Sequence, residues 1–67
     1  MKPTYEDVSM MAYVRGYTLR LGTGRNYWID DADGIVAMTF SLLIDAARWL
    51  AQRPAIKPHP QARIAAA

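Results

Sequence analysis

The sequence predicts one α+β domain, α-β-β-β-α, with a three-stranded antiparallel sheet covered on one face by two helices. Three observations predict it. Two stretches with helical apolar spacing, 4–15 and 41–53, enclose a middle region of short alternating or aromatic runs. Asp33-Gly34 marks a tight reversal between the last two of those runs. Sixty-seven residues leave room for a single core.

Residues 4–15, TYEDVSMMAYVR, read as the first helix. Thr4 is placed as N-cap with Asp7 three residues on, a capping-box spacing, and Glu6 and Asp7 suit the positive end of the helix dipole. Tyr5, Val8, Met11 and Ala12 form the apolar stripe, with Val14 and Met10 beyond its edge and Tyr13 turned to solvent. Gly16 is the expected left-handed stop, with Tyr17 placed to pack back on Ala12. Residues 17–21 alternate and read as a strand; GTGRN, 22–26, is a loop; 27–31 is a second strand, and 35–40 a third.

A two-residue turn at Asp33-Gly34 pairs Ile29 with Met38 and Tyr27 with Phe40. Tyr17, Leu19, Leu21, Tyr27, Ile29, Val36, Met38 and Phe40 then share the covered face. Thr18, Arg20, Trp28, Asp30, Ile35, Ala37 and Thr39 share the open one. A three-residue turn with a bulge at Gly34 would instead put Trp28 on one face with Met38 and Phe40. The final helix, SLLIDAARWLAQR, is expected to start at a Ser41 cap and end before Pro54. Leu42, Leu43, Ala46, Ala47 and Leu50 make its buried face, with Ile44 and Trp49 at the margins. The compact domain is expected over 1–53, followed by an extended or disordered Pro/Ala-rich tail, 54–67.

Composition narrows the functional classes. There is no cysteine, so disulfides and thiolate metal sites are excluded. A domain this small commonly adds a staple or a partner, and the hydrophobic fraction of 52% suits burial against another chain. The net charge of +2 is too small for an obligate nucleic-acid binder. No leader sequence is visible and no apolar run approaches the ~18 residues of a membrane span, so a cytoplasmic protein is expected.

Candidate chemistry is sparse. Asp30, Asp31 and Asp33 form an acidic corner, DDADG, whose spacing fits a turn and does not fit a helix-flanked calcium loop. Gly22-Thr23-Gly24-Arg25 leads into a strand, so it lacks the helix N-terminus that a phosphate loop uses. Ser9, Ser41, Thr18 and Thr39 have no base fixed beside them, and the single His59 stands between two prolines. No catalytic residue, metal ligand or cofactor is expected. Arg20 and Trp28 are expected as cross-strand partners on the open face, where Ile35 adds apolar surface. Such a patch reads either as an Arg–Trp stack or as a contact surface.

From Gly16 to Leu50 the chain resembles a pattern common in short proteins of phages and other mobile elements. The pattern has a Gly16-Tyr17 start, a strand, a glycine loop, an aromatic strand ending in Asp31–Gly34, another strand, and a helix ending in Trp49-Leu50. The resemblance implies a small inhibitor or adaptor that binds a host protein or complex; anti-CRISPR proteins are among such proteins. The expected function is therefore protein binding without chemistry, with Trp28, Arg20, Ile35 and Tyr13 as contact residues. The alternative is a small nucleic-acid-binding module using Arg15, Arg20, Arg25 and Trp28. A third reading is a structural homodimer that buries the Trp28 face.

Overall fold

The computed structural model describes residues 2–58. The chain runs α1 (Tyr5–Val14), β1 (Thr18–Leu21), β2 (Tyr27–Asp30), β3 (Val36–Phe40) and α2 (Leu43–Ala51), with one 3-10 turn, Thr23–Arg25, before β2. The strands form a single antiparallel sheet in the order β1-β2-β3. Val8 and Ala12 of α1 meet Ala46, Ala47 and Leu50 of α2 over Leu19 and Ile29, so both helices lie on one face of the sheet. His59 and the rest of the predicted tail, 59–67, lie outside the described residues.

α1 begins and ends on the groups its sequence supplies. The Asp7 N–H donates to the Thr4 hydroxyl at 3.1 Å, and the Thr4 N–H donates to the Asp7 carboxylate at 3.3 Å, a complete capping box. At the other end Gly16 adopts φ +84°, the Tyr17 N–H reaches the Ala12 carbonyl, and the Gly16 N–H reaches that of Tyr13. This is the paired 6→1 and 5→2 closure that a left-handed glycine permits. The burial differs in part from the expected stripe: Val14 is buried, while Tyr5 stays 41% exposed and donates its hydroxyl to the Leu19 carbonyl at 3.2 Å.

The hairpin between β2 and β3 combines features of both expected turns. The Asp31 N–H bonds the Ile35 carbonyl at 2.8 Å and the Gly34 N–H bonds the Asp31 carbonyl at 3.0 Å, with Gly34 at φ +79°. The loop is thus three residues long, a type I turn followed by a left-handed glycine. That turn alone would shift the register by one, but Asp30 pairs with Val36 and Ile29 with Met38, leaving Ala37 as a bulge. The bulge restores the pairs Ile29–Met38 and Tyr27–Phe40. Val36, expected on the covered face, instead stands across from Asp30 and shares its open face, because cross-strand partners point the same way.

The helices cover only the middle of the sheet. Leu19 and Ile29 are buried, but Leu21, expected in the core, is 63% exposed, two residues nearer the loop than Leu19. Met38 on the outer strand is 43% exposed. α2 starts later than expected: Leu42 is the N-cap residue with extended backbone, and no side chain caps the helix, so Ser41 does not serve. Leu42 consequently leaves the buried face. Trp49 closes the core from the margin, edge-on to Tyr17 with ring centroids 5.3 Å apart and 6.3 Å from Phe40.

Beyond α2 the chain is tied back to α1. The Ile56 and Lys57 N–H groups both donate to the Val14 carbonyl, at 2.7 and 2.8 Å. Arg15 links the two ends, donating from Nη1 to the Met11 carbonyl and from Nε to that of Arg53. A helix C-terminus leaves carbonyls without intrahelical donors, and a following segment outside regular structure has N–H groups to offer them.

Candidate functional site

The sheet face turned away from the helices carries a cluster of polar and aromatic side chains. Alternation along β1 and β2 puts Thr18, Arg20, Trp28 and Asp30 there, and the pairs Thr18–Asp30 and Arg20–Trp28 set them side by side. Arg20 donates from Nε to Asp30 Oδ2 at 2.6 Å, and its guanidinium lies 4.3 Å from the centre of the Trp28 ring. The Arg20 side chain remains 44% exposed while Asp30 is buried. The other carboxylate oxygen, Oδ1, is buried without a hydrogen-bond partner among the described residues.

Gly22 completes the arrangement. Its φ is ordinary, −88°. A Cβ at this position would overlap the Nε1, Cδ1 and Cε2 atoms of Trp28. The glycine is needed for the close approach of the indole, not for its backbone angle. Trp28 is thus held between Arg20 and the backbone at Gly22.

The other expected site residues are dispersed. Ile35, expected on the open face, pairs with Asp31 at the hairpin end, and the bulge at Ala37 puts Val36 rather than Ala37 across from Asp30. Tyr13 stands on α1, on the other side of the molecule from Trp28, with the Lys57 ammonium 4.8 Å from its ring centre. Of the alternative arginine set, Arg15 is engaged at the α1 C-terminus, whereas Arg25 lies in the loop next to Trp28 with φ +63°.

Within the acidic corner Asp30 belongs to β2, and Asp31 and Asp33 belong to the turn. Asp31 Oδ1 accepts the N–H groups of Asp33 and Ile35 at 2.9 and 3.0 Å. Among the described residues no group of three or more His, Cys, Asp or Glu side chains is placed to hold a metal ion. No described helix is long and apolar enough to cross a membrane.

The Arg20–Asp30 contact is not among the sequence expectations. The two residues are diagonal neighbours, and their opposite charges are the signal that could have found it. Gly22 carries no comparable signal, because a loop glycine reads first as a turn residue. No family model matches this chain, and no curated protein or solved structure matches it either.

Proposed function

We propose that this chain is a non-enzymatic protein-binding module that acts by occupying a surface of another protein, as a phage-type or mobile-element regulator or inhibitor of a host protein or complex would. The observation that carries the reading is the fixed Arg20: bonded to Asp30 and stacked on Trp28, on a sheet face that neither helix covers. An arginine and a tryptophan held in place before binding lose little side-chain freedom on association, and these two residue types dominate interface energetics. The groove of about 450 Å³ on the outer side of α1, lined by Tyr5, Glu6, Ser9, Met10 and Tyr13, sets two phenols and one hydroxyl beside a single carboxylate, with no histidine and no second carboxylate among those residues, which supports the non-enzymatic reading.

Protein binding is favoured over the nucleic-acid alternative by the same geometry. One face of the Trp28 ring is taken by Arg20, Asp30 offsets the charge beside it, and Arg15 is engaged elsewhere. Little remains of a stacking platform with a positive field.

The test is affinity capture from host cells, followed by titration of the captured protein against the purified chain and its Trp28→Ala variant. A roughly 30-fold or greater rise in Kd, with an unchanged circular dichroism spectrum, is expected for the loss of such an anchor. Equal affinities would overturn the open face as the contact surface. A mobility shift with nucleic acid at low salt that fades as salt rises would favour the alternative.

A further inference from the structure

We infer that two copies of this chain pair antiparallel along β3, joining two three-stranded sheets into one six-stranded sheet across a two-fold axis. β3 is an edge strand, bonded to β2 on one side only. Edge strands in monomeric proteins are ordinarily blunted by charge, by proline or by a covering element. The other edge has such protection: the Tyr5 hydroxyl of α1 donates to the Leu19 carbonyl, and β1 carries Arg20. β3, VAMTF, carries no charged residue and no proline, and four of its five residues are exposed. Its one irregularity, the Ala37 bulge, lies at the hairpin end and leaves Met38–Phe40 in regular register with β2.

The composition of this edge points to a second copy as its occupant. When a strand pairs with itself across a two-fold axis, residues near the axis face their own kind, so any charge there repels its copy. β3 meets that condition throughout. Centred on Thr39, the pairing sets Thr39 against Thr39 on the open face. On the helix side it sets Met38 against Phe40, adjoining the existing core. Leu42 follows with extended backbone (φ −118°, ψ 136°) and is 58% exposed, and Ile44 is exposed beside it, so both lie at the margin of the new interface. A foreign strand would be selected by side-chain pockets or complementary charge beside the edge, and β3 itself carries no charge. The chain also has no cysteine and only eight buried apolar residues among those described. Association is a route by which so small a core gains burial. The pairing does not depend on the proposed function; if both hold, the dimer presents the Arg20–Trp28 cluster twice on one continuous face.

Light scattering on the purified full chain at about 100 μM tests the pairing first. A mass twice the 7.5 kDa of one chain is expected, returning to one chain in Met38→Lys with unchanged circular dichroism. A single-chain mass for the natural sequence overturns it. Thr39→Cys tests the register, because the sequence has no other thiol. Cα atoms paired across the axis lie about 4.5–5.5 Å apart, within disulfide reach. Rapid oxidation to a disulfide-linked dimer, with Thr23→Cys remaining monomeric, is expected. Equal cross-linking of the two variants, or of neither, overturns β3 as the interface.

Discussion

At the residue scale the open face is ordered by contacts that propensity does not describe. Gly22 lies against the Trp28 indole, so Gly22→Ala forces ring or loop to move. A loss of about 1–3 kcal/mol is expected, as for overpacking a tight contact, together with a shift in tryptophan emission. Urea unfolding followed by fluorescence checks both; an unchanged midpoint and spectrum would show that the indole does not rest there. Gly34 presents the opposite case. Its φ is +79°, but no atom lies within 4 Å of where a Cβ would stand, so only backbone strain opposes a larger residue. The sequence shows Gly34 clearly, because Asp-Gly is a turn signal, and conceals Gly22, because close approach depends on a side chain six positions away.

At the scale of elements, the two helices differ in how they begin. α1 has a complete capping box, foreseeable from Thr4 and Asp7 alone. α2 has Leu42 at the N-cap and no side-chain acceptor for its first N–H groups, although Ser41 stands one residue earlier. Leu42→Asp should therefore stabilise the monomer by about 0.5–2 kcal/mol, since Asp is a strong N-cap and Leu a poor one. Thermal unfolding of the variant in a Met38→Lys background, which separates folding from association, reads the effect. A lower Tm in that background would contradict the assigned helix start. The mismatch at Ser41 has a physical cause. The hairpin register fixes where β3 ends at Phe40, and the chain needs Ser41 and Leu42 to turn from the sheet into the helix.

At the scale of the whole molecule, stability rests on few side chains. Ile29, Leu50 and Val8 are the largest fully buried ones. Leu50→Ala should cost about 2–5 kcal/mol. A chain of this length has a net stability of about 3–10 kcal/mol, so the variant should unfold at a much lower urea concentration or be unfolded without urea. Retention of the natural midpoint would mean that the shared core of α1, α2 and the sheet is not the main support. The same small core leaves the sheet unevenly covered: Leu19 and Ile29 are sealed while Leu21 and Met38 are open. Alternation places all four on one face, but how far two short helices reach across that face is a matter of packing.

The order of elements, the cap and stop of α1, the antiparallel sheet and the pairing of Tyr27 with Phe40 follow from local signals in the sequence: turn residues, periodicity and capping groups, each legible within a few positions. The tertiary structure alone decided that a three-residue turn and a bulge at Ala37 cancel one another, moving Val36 to the open face. It also decided that Arg20 meets Asp30 over Trp28, and that Ile56 and Lys57 close the end of α1. Each of these depends on residues brought together across strands or from opposite ends of the chain, where the free energy lies in a contact that neither partner encodes by itself.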